Sequence, residues 1–236
     1  MSISRRVPLL IAVAVVMVLQ WPMALYATAN HGGSDEQVCD ALADYYLGME
    51  DYPEAIKRHL VVIRQHPDDA LAYYHLGFAY GMMGDHRKEL ANYKRAVDLG
   101  LSDWQLFLNL GLLYMDAGRL EEATEVLRLA TLLAPYRPET HFNLGLVYER
   151  LGMFEQAQQE VLTSLRLDPD QIDARNTLGA IYAEQGNYAR AHQEWAELVN
   201  SHPDYTPARA NLAILQRVES GQIKGPERVS GFARAH

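Results

Sequence analysis

One spacing, 34 residues, recurs along most of this sequence and constrains its fold more than any other feature. A fixed period of roughly 20–50 residues is typical of chains built from repeated supersecondary units. One such unit cannot bury its hydrophobic face alone, so neighbouring units must stack on each other. The matching columns are Tyr46, Tyr80, Tyr114, Tyr148 and Tyr182; Leu42, Leu76, Leu110, Leu144, Leu178 and Leu212; Gly77, Gly111, Gly145 and Gly179; Gly84, Gly118, Gly152 and Gly186; Ala123, Ala157 and Ala191; and Pro67, Pro135, Pro169 and Pro203.

The stretch LFLNLGLLYMDAGRLEEATEVLRLATLLAP, from Leu106 to Pro135, has its Leu-Gly, Tyr, Gly, Ala, Ala and Pro in a specific order. In this respect the chain resembles the tetratricopeptide repeat (TPR) family. The resemblance implies an all-α fold, a right-handed superhelical solenoid of antiparallel helix pairs whose first helices line a concave groove. Five units are predicted, over 36–69, 70–103, 104–137, 138–171 and 172–205.

The chain after the fifth unit is predicted to close the stack. Thr206 and Pro207 favour the start of one more helix, over 206–220, because proline is well tolerated in the first turn. A repeat array needs a terminal element of this kind to cover its last apolar face. The Gly-rich, mildly basic segment 221–236 is predicted to be a disordered tail.

The repeated columns have physical reasons of their own. Leucine, glycine and tyrosine at unit positions 7, 8 and 11 share one helical face. The glycine lets the second helix approach closely, and a small residue at position 20 is expected to meet it. The glycine at position 15 favours the end of the first helix. Asp51 with Glu54, and Ser102 with Gln105, predict capping boxes.

Two units depart from the pattern. Glu89 occupies the position of the packing alanine in unit 2. A buried, unpaired carboxylate is costly, so we expect this helix to rotate or shift and use Leu90 or Ala91 instead. Unit 1 is predicted to be an atypical terminal unit because three of its columns hold unusual residues, Ala43, His59 and Val62.

The N-terminal segment predicts export from the cytoplasm. Arg5 and Arg6 precede an apolar run, and Ala27-Thr28-Ala29 follows it, which is typical of a secretory signal cleaved before Asn30. The alternative is an uncleaved anchor, because residues 7–29 carry no charge and are long enough to span a bilayer. Both interpretations of 1–29 keep the arginine pair in the cytoplasm and the rest of the chain extracytoplasmic: periplasmic, secreted, or anchored to the inner membrane.

Composition argues against several classes of function. The formal net charge of −9 repels phosphate backbones, so no nucleic-acid partner is expected. Cys39 is the single cysteine, which excludes an internal disulfide. No nucleophile elbow, phosphate loop, HExxH or CxxC motif is present, and the histidines are scattered along the chain without an i,i+4 pair. We therefore expect no enzyme activity, no cofactor and no metal site.

The first helices of the middle units predict a binding groove. Each of these helices has a side that faces away from its partner helix. Residues on that side would be polar if they met only solvent, yet here they are largely apolar. Contiguous apolar surface in a concavity usually marks a binding site. The alternative is that these side chains pack on each other across a closed groove or against an N-terminal extension. The predicted contact set is Tyr74, His75, Phe78, Leu108, Asn109, Leu112, Phe142, Asn143, Leu146 and Asn176.

Unit position 6 forms a polar column on this side of the first helices. It holds His75, Asn109, Asn143, Thr177 and, in the capping helix, Asn211. A side-chain amide has a donor and an acceptor, so a column of amides can pair with the backbone of an extended peptide, as in asparagine ladders of some family members. The alternative is that Asn-Leu-Gly is merely a habitual choice in such repeats. The sequence leaves both interpretations open.

The resemblance and the charge pattern together predict a partner. The groove carries the acids Asp116, Glu139, Glu149, Asp173 and Glu184 beside one base, Arg150. That disfavours the family's carboxylate clamp and favours a partner with some basic character. The leading hypothesis is a non-enzymatic scaffold or adaptor of the bacterial cell envelope that binds an extended segment of a client protein. The alternative is a self-associating structural protein whose groove accepts its own cap, tail or N-terminus.

Overall fold

The computed structural model describes residues 40–220. The predicted signal or anchor over 1–29, Cys39 and the tail over 221–236 lie outside this range. No strand occurs between residues 40 and 220, and no helix there has both the length and the apolar character to cross a bilayer. The helices are α1 (Ala41–Gly48), α2 (Tyr52–Gln65), α3 (Ala70–Met82), α4 (His86–Asp98), α5 (Trp104–Asp116), α6 (Leu120–Leu133), α7 (Pro138–Arg150), α8 (Phe154–Leu167), α9 (Ile172–Glu184), α10 (Tyr188–Ser201) and α11 (Thr206–Glu219).

Odd-numbered and even-numbered helices form pairs joined by tight turns. Glycines at unit position 15 end the first helix of four pairs with φ between 71° and 76°, a left-handed conformation that costs glycine little. At the same position in the first pair, Glu50 adopts φ 58° and is the one non-glycine residue with positive φ among residues 40–220. The sequence therefore predicts the four glycine-containing helix ends correctly. The turn at Glu50 carries backbone strain that the other four turns avoid, because they have glycine there.

Aspartates cap many of the helix N-termini. Half of the predicted Asp51–Glu54 capping box forms: the carboxylate of Asp51 accepts from the backbone N–H of Glu54 at 3.3 Å, whereas the N–H of Asp51 donates to the carbonyl oxygen of Tyr46. The predicted Ser102 cap is wrong by one residue: Asp103 caps α5 and accepts from the N–H groups of Gln105 and Leu106 at 2.8 and 3.1 Å. A carboxylate carries a full charge and satisfies two helix donors here, which a hydroxyl does less well.

Glycine at unit position 8 sets the distance between the helices of a pair. A Cβ added to Gly145 would lie 2.7 Å from Val161 Cγ2 and 3.3 Å from the carbonyl oxygen of Ala157. The prediction that the residue at position 20 fills this space is therefore only partly correct, since the side chain at position 24 occupies most of it. The matching pairs are Gly77 with Tyr93, Gly111 with Leu127, Gly145 with Val161 and Gly179 with Trp195.

Helix α4 does not rotate to avoid Glu89, so that prediction is wrong. The Glu89 carboxylate lies against Gly81 of α3, where an added Cβ would be 2.6 Å from its Cδ. His86 Nδ1 lies 2.9 Å from its Oε2, and Ala91 remains exposed. Burial nevertheless raises the pKa of Glu89. The glutamate is accommodated because the opposite residue is glycine and because the histidine supplies a polar partner.

The hydrophobic core runs along the stack in successive clusters. One cluster joins α4 to α7 and a second joins α8 to α11, and Phe142 of α7 packs against both. Ala208 and Leu215 of α11 are fully buried, so this helix covers the last repeat. In the first repeat, Ala43, His59 and Val62 are buried at the columns where the sequence departs from the pattern.

Candidate functional site

The first helices of successive repeats lie side by side on one face of the stack. Direct contacts join α1 to α3, α5 to α7, α7 to α9 and α9 to α11. Side chains bridge these neighbours as well: Asn109 Nδ2 of α5 lies 3.4 Å from the hydroxyl oxygen of Tyr74 on α3, and Arg150 donates to the carbonyl oxygen of Met115 at 3.3 Å. We call this face, formed by α1, α3, α5, α7, α9 and α11, the inner surface.

The apolar residues predicted to bind a partner fall into two groups on the inner surface. Leu108 and Leu146 are each 8% exposed and belong to the core cluster that joins α4 to α7. They contact the packed interior more than solvent. The larger side chains keep part of their surface accessible while packing against the same cluster; these half-buried residues are Tyr74, Phe78, Leu112 and Phe142.

The polar column at position 6 is used within the protein at several points. His75 Nδ1 lies 2.7 Å from Asp44 Oδ1 of the preceding repeat, and Asn109 reaches Tyr74. Asn143 differs, because its amide donates to the carbonyl oxygen of Glu139 in its own helix at 2.8 Å. Two of these three position-6 side chains therefore join neighbouring repeats, whereas the hydrogen bond of Asn143 stays within one helix.

The C-terminal end of the inner surface is closed by polar pairs. Asn176, predicted as a contact residue, is fully buried, and Asn211 Nδ2 of α11 donates to its Oδ1 at 3.0 Å. The hydroxyl of Tyr205 donates to Asp173 at 2.8 Å, and burial together with that carboxylate raises the pKa of the hydroxyl. These bonds hold the capping helix on α9, so Asn176 is placed to join helices.

The charges expected along the groove are only partly accessible. Glu149 is 3% exposed, whereas Asp173 stays exposed while its carboxylate accepts from the hydroxyl of Tyr205. Asp116 is exposed at the end of α5, and Arg150 is exposed at the end of α7. The accessible acidic character is therefore smaller than the sequence suggests and is concentrated near the helix ends.

Open surface cavities occur near the C-terminal end of the stack, away from these residues. Two surface cavities in the described part of the chain are lined by Ile172, Ser201 and His202, between the loops that precede α9 and α11. The half-buried apolar residues of the inner surface, by contrast, extend over three successive first helices, α3, α5 and α7.

Comparisons with protein families agree with this architecture. Tetratricopeptide repeat models match residues 41–86, 111–152, 138–171 and 161–193, and so extend from α1 into α10. The chain belongs to the tetratricopeptide repeat family. Members of this family are typically protein-interaction modules. A comparison with curated protein sequences gave no significant match.

Solved tetratricopeptide repeat structures share the fold at low sequence identity. YrrB, a TPR protein with an unusual peptide-binding site, is 20% identical with a TM-score of 0.67, covering 77% of this chain and 89% of its own. MamA from Desulfovibrio magneticus is 18% identical with a TM-score of 0.64, covering 70% and 93%. PilF from Pseudomonas aeruginosa is 22% identical with a TM-score of 0.62, covering 77% and 82%. These likenesses establish the all-α solenoid.

A second group of polar residues lies at the N-terminal end of the tetratricopeptide stack. Asp44 of α1, His59 of α2 and His75 of α3 place one ligand atom each within 4.8 Å of the others. His59 Nε2 is 3.8 Å from Asp44 Oδ1, and the two imidazole rings are 5.4 Å apart. Burial, and to a lesser extent His75, lowers the pKa of the fully buried His59 to about 4. This imidazole is neutral at pH 7.

The sequence does not reveal this cluster, which corrects the expectation that the histidines are scattered. Asp44 is 15 residues before His59, and His75 is 16 residues after it, so no local motif connects them. The repeat columns are the sequence feature that could have located it. Asp44 and His59 hold unit positions 9 and 24, His75 holds position 6 of the next unit, and these three positions are neighbours in space. The same columns hold Phe78, Tyr93 and Asn109 in the next repeat, and Leu112, Leu127 and Asn143 in the one after.

Proposed function

We propose that this protein is a non-enzymatic scaffold that binds an extended segment of a client protein along the inner surface of α3, α5 and α7. The observation that supports this proposal is the row of half-buried Tyr74, Phe78, Leu112 and Phe142 on successive first helices. A solenoid needs apolar residues where its helices pack on each other. The inner surface faces away from the partner helices, and polar residues there would serve as well if it met only solvent. Partial exposure of large apolar groups in a row is typical of a recognition surface.

The half-buried residues would supply the binding energy. Aromatic and large aliphatic side chains contribute most in interfaces because each buries a large area when a partner covers it. Burial yields about 25 cal/mol for each Å² of apolar surface removed from water. Leu108 and Leu146, which are almost covered already, would shape the floor of the surface and add little on binding.

Asn143 is the polar residue best placed to meet a client backbone. Its amide makes its hydrogen bond within α7, so engaging a peptide would not separate two repeats. Asn109 already reaches Tyr74 of the neighbouring repeat, and Asn176 is covered by the capping helix. Exposed Asp116 favours a client with some basic character at the end of the same surface.

We further propose that the protein acts outside the cytoplasm, in the cell envelope. Support comes from Arg5 and Arg6, the uncharged residues 7–29 and the Ala27-Thr28-Ala29 site. A reporter that is active only outside the cytoplasm, fused after residue 34, should give signal that falls when both arginines become glutamate. Mass spectrometry of the mature N-terminus then distinguishes cleavage before Asn30 from anchoring. An intact N-terminus on a cytoplasmic protein would contradict this part of the proposal.

Binding can be tested before any client is identified. Peptides selected from a displayed random library on the immobilised protein would be measured by fluorescence anisotropy against wild type, Phe142→Ala and Asn143→Ala. We expect Phe142→Ala to weaken binding by about 2 kcal/mol, or about thirty-fold. Asn143→Ala should weaken it by about 1 kcal/mol without loss of thermal stability, since alanine favours the helix.

Leu132→Ala is the matched control for Phe142→Ala. Leu132 is 75% exposed on α6, a second helix, so its substitution removes a large apolar group away from the inner surface. The affinity of this variant should equal that of wild type. If Phe142→Ala and Asn143→Ala bind like wild type and only melt at lower temperature, the inner surface is a packing element, and the proposal fails.

Self-association is the second candidate, favoured by the capping helix. Ile214 and Val218 of α11 are only half-buried, so they could enter the inner surface of another copy. Static light scattering of wild type and Ile214→Lys would decide between the candidates. A monomeric wild type favours the client-binding scaffold, whereas an oligomer that Ile214→Lys dissociates favours self-association.

A further inference from the structure

We propose that Asp44, His59 and His75 form a zinc-binding site that joins the first repeat to the second. The ligand atoms come from α1, α2 and α3, so a bound ion would connect three helices. Two imidazole nitrogens and one carboxylate oxygen are a donor set that Zn²⁺ accepts readily. This inference concerns one end of the stack and is independent of client binding along α3, α5 and α7.

The observed distances fit a tetrahedral ion after small side-chain adjustments. With bonds of about 2.0–2.1 Å, ligand atoms in a tetrahedral zinc site are about 3.3 Å apart. The Asp44 Oδ1 atom lies 2.7 Å from His75 Nδ1 and 3.8 Å from His59 Nε2, and the three atoms fall within 4.8 Å. The observed separations bracket the required one, so movements of about 1 Å at the side-chain tips suffice.

The burial pattern also suits a metal site with one remaining coordination position. His59 is fully buried, whereas the side chains of His75 and Asp44 are 15% and 39% exposed. The buried His59 side chain is held in place by its surroundings and would give the ion a fixed ligand on the side away from solvent. The partly exposed ligands leave an entry path from solvent, and a water molecule can occupy the fourth position.

The repeat columns show that the cluster is not a general requirement of the fold. At the corresponding three positions, the other junctions hold two apolar or aromatic residues and one amide or hydroxyl. Leu127 and Trp195, for example, occupy the column of His59 and are fully buried. Only the first junction combines three side chains that can bind a transition metal among residues 40–220, which favours a specific role for them.

Titration calorimetry of the chelator-treated full-length chain with zinc sulfate tests the inference. We expect one equivalent of Zn²⁺ per chain, and an affinity at least ten-fold lower for His75→Asn and for Asp44→Asn. Asparagine occupies the His75 column in other repeats, so the His75→Asn variant should keep its helical content by circular dichroism. Co²⁺ in place of Zn²⁺ should give a tetrahedral visible spectrum in wild type and not in His75→Asn or Asp44→Asn.

His141→Ala is the matched control. His141 Nδ1 lies 2.7 Å from Glu160 Oε2, which copies the His75–Asp44 pair without a second histidine. Its zinc affinity should match wild type. The inference is overturned if wild type takes up no stoichiometric Zn²⁺, or if His75→Asn binds it as tightly as wild type. It is also overturned if zinc and chelator give wild type the same melting temperature, because an ion joining three helices must raise it.

Discussion

Replacing Gly145 with valine tests the packing that sets the geometry of every repeat. The first carbon of the new side chain would lie 2.7 Å from Val161 Cγ2 and 3.3 Å from the carbonyl oxygen of Ala157 and the backbone nitrogen of Val161. Backbone atoms cannot rotate away as a side-chain tip can, so α7 and α8 must separate. Overpacking of this kind costs about 1–3 kcal/mol, partly offset by about 0.5 kcal/mol because valine favours a helix more than glycine does.

We therefore expect the Gly145→Val substitution to lower the free energy of unfolding by about 2 kcal/mol. Urea unfolding followed by circular dichroism measures this loss as a midpoint lower by about 1 M. Gly48→Val, at the end of α1, is the matched control, because nothing lies within 4 Å of a carbon added there and Gly48 does not adopt a positive φ. Its stability should stay within about 0.5 kcal/mol of wild type. Equal midpoints for wild type and Gly145→Val would refute the assigned helix register.

Three further substitutions test strain in the turns that end the first helices and burial in the first repeat. Glu50→Gly should raise the free energy of unfolding in urea melts by about 0.5–1 kcal/mol, because glycine adopts the positive φ of this turn without strain. Gly118→Ala makes the opposite change at the equivalent turn of the third repeat and should lower it by about 1 kcal/mol. Changes of the same sign in the two variants would contradict this reasoning. Folding lowers the pKa of His59 from about 6.5 to about 4. The stability that the neutral, buried imidazole contributes is therefore fully present above pH 6.5 and is lost as the pH falls from 6.5 to 4. In urea melts with chelator present, the free energy of unfolding should fall between pH 7 and pH 5 by about 2 kcal/mol more in wild type than in His59→Leu. Equal decreases in the two proteins would contradict the burial argument.

Much of the fold follows from local rules that the sequence displays directly. Glycine at position 15 ends helices because it adopts positive φ without strain, and Gly152 does so with φ 73°. The period itself predicts paired helices, since each unit repeats the same apolar face. The cap of α5 is harder to place from sequence because Ser102 and Asp103 are adjacent and both suit a helix start.

The site is less predictable because it depends on contacts between repeats. An asparagine can face a peptide or a neighbouring helix, and only the structure shows that Asn109 reaches Tyr74 whereas Asn143 stays within α7. Glu89 is tolerated because of Gly81, which belongs to the other helix of its pair. Such contacts between helices leave no signature within either helix.

Position-specific crosslinking tests the central claim, that a client segment binds the inner surface. A photoreactive amino acid at Leu112 of α5, half-buried on that surface, would be compared with the same group at Leu132 of α6, which is 75% exposed elsewhere. The account predicts that a library-selected peptide crosslinks at position 112 and not at 132. Crosslinking at 132 alone would contradict it, because the client would then bind the second helices of the repeats.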